Sequence, residues 1–216
     1  MSKRFDPGVI PPAPNLSFEG RLWESGINCV AGIDEAGRGA LAGPVVAAAL
    51  IIPSEPGQHH TLTGLRDSKK LSPAERDTWL EILRQMALSW GVGMASHQEI
   101  DSWGIIPATR IAAHRALRQL SLAPEHLLLD YLFLPDCDIP QTSLIKGDER
   151  SLSIAGASIM AKITRDKVLI ELDSSYPEYR FADHKGYGTS FHRTALERLG
   201  PCPIHRKSFA PLKGLV

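Results

Sequence analysis

The chain has 216 residues and a formal net charge of zero, with 24 basic and 24 acidic side chains. Hydrophobic residues at 43% and charged residues at 22% exclude a wholly disordered chain, and the length fits one domain or one domain with a small appendage. The longest apolar run, residues 45–52, is far short of the roughly 20 residues a membrane helix needs, and Cys29, Cys137 and Cys202 lack the spacing of a disulfide framework, so reduced thiols in a cytoplasmic protein are expected.

The segment before about residue 25 is punctuated by Pro and Gly, shows no secretory signal over 1–14, and is expected to be loosely ordered. Residues 27–33 read as a short buried strand, and 45–52 as a second, joined by a glycine-rich turn. Ser72-Pro73-Ala74-Glu75 spells a capping box and starts a helix to about Met86. Residues 88–95 read as a third strand and 97–103 as a short helix. Pro107 opens another helix to about Leu120. Residues 127–129 form a short buried strand ending at Asp130, and 142–145 a fifth candidate. The longest helical pattern runs over about 153–174. Its first half, Ala155-Gly156-Ala157-Ser158, is small enough to lie close to a neighbouring element. A last helix over about 190–199 stops at Gly200-Pro201. Strands first, then strands alternating with helices, predict a mixed α/β sheet covered by helices. Trp23, Trp79, Trp90 and Trp103 read as packing residues.

Residues 32–44, Gly-Ile-Asp-Glu-Ala-Gly-Arg-Gly-Ala-Leu-Ala-Gly-Pro, carry the chemistry. Asp34 and Glu35 stand where a buried strand ends, and ionised carboxylates there need a partner or a metal. A P-loop is excluded because Arg38-Gly39 stands where Lys-Ser/Thr is required. A dinucleotide fingerprint is excluded because a strand, not a helix, follows. An isolated Asp-Glu is most simply a solvated turn. Asp130, however, ends a second buried run, and Asp148 follows another strand in Lys146-Gly147-Asp148. Strand ends are where α/β sheets place their sites. Four carboxylates gathered there would repel one another without cations, and hard oxygen ligands select Mg²⁺ or Mn²⁺. Side chains alternate along a strand, so Asp34 and Glu35 share a site only if the strand bends, a bend expected from the glycine turn. A pair of divalent ions held by carboxylates can cleave a phosphodiester without a protein nucleophile. Residues 1–145 hold 12 basic against 16 acidic side chains and residues 146–216 hold 12 against 8, a split that separates a cation site from a polyanion site. Lys69, Lys70, Lys162, His184 and Lys185 are candidate phosphate contacts, each with a plain alternative as a solvated or paired charge. Arg110, His114 and Arg118 read as an exposed helix face.

These residues resemble the bacterial ribonuclease HII family over about residues 29–213. The opening motif is followed in order by Asp67-Ser68-Lys69-Lys70-Leu71, Leu129-Asp130, Lys146-Gly147-Asp148, Ala157-Ser158-Ile159 with Ala161-Lys162, Thr164-Arg165-Asp166, His184-Lys185-Gly186-Tyr187, and His205-Arg206 with Ser208-Phe209. The resemblance implies a ribonuclease H-like α/β fold, a mixed five-stranded sheet flanked by helices over 26–175, with a helical C-terminal extension over 176–216 that contacts substrate. It implies an endoribonuclease that hydrolyses the RNA strand of RNA–DNA hybrids and cuts 5′ to single ribonucleotides in duplex DNA. The products carry 3′-hydroxyl and 5′-phosphate ends, and the cofactor is Mn²⁺ or Mg²⁺. By the same resemblance Asp34, Glu35, Asp130 and Asp148 hold the metal. Gly37, Arg38 and Gly39 read the 2′-hydroxyl, and Tyr187 packs on the sugar beside it. Lys69, Lys162 and Lys185 complete the expected substrate-binding set. The expected enzyme is a monomer acting on nucleic acid and not on membranes. The sequence departs from the family's pattern at Ala40, Gly156, Met160 and Tyr131-Leu132, none of which removes an acid. Two rivals stand beside this reading: a structure-specific nuclease of the same fold class, and a metal-dependent nucleic-acid-binding module without catalysis.

Overall fold

The computed structural model describes residues 5–66 and 68–213; Asp67 of the quoted motif lies outside them. Strands β1 (Val30–Ala36), β2 (Val45–Ile51), β3 (Ser89–Ala95), β4 (His126–Asp130) and β5 (Gln141–Leu144) make one sheet in the order β3-β2-β1-β4-β5. The glycine-rich turn returns β2 antiparallel beside β1, and β3 pairs antiparallel with β2. Strand β4 runs parallel to β1, and β5 parallel to β4. A parallel neighbour requires a long crossover. The helices are α1 (Ser17–Glu24), α2 (Pro73–Met86), α3 (His97–Trp103), α4 (Ile105–Leu117), α5 (Leu152–Asp173), α6 (Phe181–His184) and α7 (Ser190–Leu199), and α3 with α4 forms the crossover from β3 to β4.

Both faces of the sheet are covered. Val45, Ala47, Ala49 and Ile51 of β2 cluster with Ala108, Ala112 and Ala116 of α4. The alternate residues Ala48 and Leu50 cluster with Ala155, Ala157 and Ile159 of α5 and with Leu80 and Leu83 of α2. That alternation is the period-2 pattern of a strand buried on both sides. The helices ride directly on the backbone: a Cβ at Gly32 would overlap the Ser153 main chain of α5, and one at Gly91 or Gly93 would overlap carbonyls of α4. Helix α2 begins with the expected capping box, Ser72 Oγ accepting from Glu75 N at 3.3 Å and Glu75 Oε2 from Ser72 N at 2.7 Å.

Three expectations need correction. The segment before residue 25 is not loose throughout, because α1 is docked through a buried acid. Glu19 Oε1 accepts from Ser151 Oγ at 2.6 Å, Ser153 N at 2.9 Å and Ser153 Oγ at 2.7 Å. Strand β1 does not bend between its acids. Asp34 lies opposite Ala48, Glu35 opposite Ala47 and Ala36 opposite Val46, so the ladder is regular and the side chains alternate. Trp90 and Trp103 are exposed, while Trp23 and Trp79 pack against the α5 side of the core. The C-terminal extension packs against the catalytic part. Tyr179, Phe181, Ala195, Leu196 and Ile204 share a cluster with Leu41, Ala42 and Leu169, and a β-bridge joins Ala42 to His205.

Candidate active site

Asp34 on central strand β1, Asp130 at the end of its parallel neighbour β4, and Asp148 in the turn after β5 converge at one edge of the sheet. One carboxylate oxygen from each lies within 4.8 Å of the others. Adjacent parallel strands put their C-terminal ends side by side, which is why acids nearly a hundred residues apart meet. Asp34 and Asp148 are buried and Asp130 is half-buried. Gly147 N donates to Asp130 Oδ1 at 2.7 Å, tying the β5 turn to β4, and Lys69 Nζ donates to Asp148 Oδ2 at 3.0 Å.

Glu35, expected among the same acids, falls outside this group of three: it leaves the regular strand from the alternate position and reaches the same cavity from beside them. It pairs with Arg38 at 3.0 Å. Its Oε2 is buried with no hydrogen-bond partner among the described residues. Burial, then the nearby Glu35 and Asp130 charges, holds the Asp34 carboxyl well above the usual carboxylate range. Burial also raises Glu35, against the opposing pull of Arg38. Asp130 is pushed up to about 6 by burial and by Asp148. Carboxyls raised in this way by burial and by one another want a cation. The donors are all hard oxygens, with one buried oxygen left unpaired, and this set fits Mg²⁺ or Mn²⁺.

A cavity of about 220 Å³ opens on Asp34, Glu35 and Asp130 and is walled by Gly37, Arg38, Gly39, Ser68, Lys69, Ser158, Lys162 and Tyr187. The expected glycine loop, two of the three expected lysines and the tyrosine are thus brought to the acids. Lys162 also donates to Asp166 at 2.7 Å, and the Tyr187 ring lies 5.2 Å from the Arg165 guanidinium carbon. Lys185 is not brought in. Its ammonium folds back onto the Ala182 carbonyl, in a left-handed residue with φ of 51° that sequence does not signal.

Two buried arginines that the sequence left without a role build the loop. Arg165 donates to Pro44 O at 2.9 Å, Lys185 O at 2.8 Å and Ala42 O at 3.0 Å. Arg206 donates to Gly43 O at 3.0 Å, Arg38 O at 2.9 Å and Pro44 O at 3.0 Å. Carbonyl dipoles replace the carboxylate that a buried guanidinium usually finds. Gly37 holds φ at 94°, and a Cβ there would overlap the Arg165 guanidinium, so glycine is required on both counts. A histidine chain supports Tyr187 from behind. Cys202 N donates to His205 Nδ1 at 3.0 Å, the two imidazoles share an Nε2–Nε2 hydrogen bond of 2.9 Å, and His192 Nδ1 lies 3.0 Å from Tyr187 O. Burial keeps both rings neutral; His192 Nδ1 then donates to the Tyr187 carbonyl, so its Nε2 accepts from His205 Nε2–H and His205 Nδ1 accepts from Cys202 N, with the Cys202 carbonyl 3.2 Å away.

This fold, with acids at adjacent strand ends beside a glycine-arginine-glycine loop, defines a ribonuclease H-type nuclease. The family model described as Ribonuclease HII matches residues 31–212, and the chain belongs to that family. It is 52% identical to a ribonuclease HII of Synechococcus sp. (strain JA-3-3Ab) over 94% of this chain and 90% of that one. Among solved structures it is similar to the ribonuclease H2 of Pyrococcus horikoshii OT3, with a TM-score of 0.67 and 25% identity over 85% of this chain and 94% of that one. It is also similar to the ribonuclease HII in a PCNA complex from Archaeoglobus fulgidus, with a TM-score of 0.68 and 26% identity over 82% and 93%.

Proposed function

We propose that this ribonuclease H cuts the RNA strand of RNA–DNA hybrids and cleaves 5′ to single ribonucleotides in duplex DNA, leaving 3′-hydroxyl and 5′-phosphate ends. The observation that carries the reading is the trio Asp34, Asp130 and Asp148 with their carboxylate oxygens within 4.8 Å of one another. These three, with Glu35 through its unpaired Oε2, would hold divalent Mg²⁺ or Mn²⁺. Bound cations supply charge to activate the attacking water and to stabilise the departing 3′ oxygen.

The chain's own residues place the substrate. Gly37, Arg38 and Gly39 line the cavity, and their backbone groups read the 2′-hydroxyl, the group that separates ribose from deoxyribose. The Tyr187 ring, held from behind by His192 and flanked by Arg165, packs on the neighbouring sugar. Lys69 and Lys162 meet the phosphates on either side. Lys185 acts through its carbonyl, which positions Arg165, rather than through its ammonium. We infer that the enzyme works as a monomer in the cytoplasm; among the described residues no helix is long and apolar enough to cross a membrane.

A duplex carrying one ribonucleotide, assayed beside an all-DNA duplex with Mg²⁺, with Mn²⁺ and with chelator, tests this. Cutting only at the ribonucleotide, only with metal, and on its 5′ side is expected. Cutting of the all-DNA duplex would point instead to a structure-specific nuclease, and binding without cutting to a silent module.

A further inference from the structure

The acid cavity does not end at Tyr187's side. A second cavity of about 490 Å³ continues past the acids, sharing Arg38, Lys69 and Asp130 with the first and walled on its far side by Tyr131, Ile145 and Lys146. Tyr131 directly follows Asp130, and its N–H donates to Leu144 O at 2.9 Å, one residue past the end of β4. Its φ is 43°, and Lys146, just beyond the partner strand β5, has φ of 56°. Bulky residues rarely adopt that conformation, and they hold it where the surroundings impose it. Packing does not explain the tyrosine, because it is 66% exposed and Ile145 beside it is 39% exposed. Glu149 accepts from both Lys70 at 2.8 Å and Lys146 at 2.9 Å, and along this cavity Arg38, Lys69 and Lys146 stand against Asp130, Asp148 and Glu149.

We propose that Tyr131, Ile145 and Lys146 form a second nucleic-acid subsite, which receives the duplex on the side of the scissile phosphate opposite Tyr187. The inference rests on the nuclease reading above and extends it. The aromatic ring and the isoleucine meet sugars, which are the apolar faces a duplex offers along its groove, and Lys146 meets a phosphate. Continuity with the acid cavity, and the basic side chains Arg38, Lys69 and Lys146 set along it, select a polynucleotide as the occupant. A trough with an aromatic at each end and acids in the middle matches a strand that runs through the site, not one nucleotide that ends in it.

Tyr131→Gly removes the ring and keeps a turn that glycine adopts freely. Its Tm should equal or exceed that of the wild type; a marked fall would make Tyr131 a packing residue and count against the subsite. On an RNA–DNA hybrid with Mn²⁺ we expect KM to rise about fivefold to tenfold, with the loss in KM rather than kcat, and Tyr131→Phe to recover most of it. Hybrids shortened from one end and then from the other should show one end whose removal weakens the wild type but not Tyr131→Gly. A wild-type KM in Tyr131→Gly, or equal sensitivity of both proteins to shortening at both ends, overturns the subsite alone. Failure of the wild type to cut any hybrid removes the nuclease reading and this inference together.

Discussion

Asp34 and Asp130 could be picked from sequence because each closes an apolar run, where an acid has few other uses, and Asp148 because it follows another candidate strand. Glu35 was legible as an acid but not in its orientation. Its place depended on a bend, and the glycines turn the chain only after Ala36. Lys185 was misplaced for a related reason: a left-handed backbone at a non-glycine residue leaves no trace in composition. The two outer glycines of the loop separate structure from function. Gly37 is locked by its φ and by Arg165, whereas a Cβ at Gly39 meets nothing within 4 Å. Gly39→Ala should therefore fold with an unchanged Tm, yet lower kcat/KM at a single ribonucleotide by about 10–100-fold, as a methyl group displaces the sugar it faces. Wild-type kinetics in that variant would remove the loop's assigned contact with the 2′-hydroxyl.

Elements with local signals were legible and those anchored at long range were not. The box at Ser72 to Glu75 is written within four residues, and the small-residue run of α5 marks a close approach, since a Cβ at Gly156 would overlap Leu50 of β2. Helix α1 carries no comparable signal. Its anchor is Glu19, and the groups that hold it, Ser151 and Ser153, lie more than 130 residues away. The N-terminal segment is consequently part of the fold at Ser17–Glu24, strapped to the first turn of the helix that also carries Ser158 to Asp34. Glu19→Ala leaves buried hydroxyls and an amide without their acceptor, which costs roughly 2–3 kcal/mol. Urea unfolding should show that loss; a change below about 0.5 kcal/mol, the level of an ordinary surface substitution, would mean the strap does not contribute.

At the scale of the whole molecule, the C-terminal extension and the catalytic sheet are one construction. Arg165 and Arg206 cross between them through main-chain carbonyls, and within the extension the histidine chain braces Tyr187, which lines the acid cavity. Burial depresses both His192 and His205 to about 4. The unfolded chain thus takes up protons that the folded pair refuses, and the stability they contribute is lost as pH falls from about 6.5 towards 4. Hydrogen exchange at pH 5, compared with pH 7 after correction for intrinsic rates, should show protection falling in Ser190–Leu199 more than in Val45–Ile51; an equal change in both would contradict this. The acid cluster has the opposite dependence. Because Asp130 rises to about 6 in the folded state, the metal-free fold loses stability as pH climbs from about 4 through 6, and neutral pH leaves the carboxylates in need of a cation. The most direct test is thermal melting at pH 7 of the wild type and Asp130→Asn, each with and without MnCl₂. Without metal, Asp130→Asn should be the more stable by on the order of 1 kcal/mol, and Mn²⁺ should raise the wild-type Tm while moving the variant far less. Identical melting of the two proteins without metal, together with a wild type indifferent to Mn²⁺, would contradict the account.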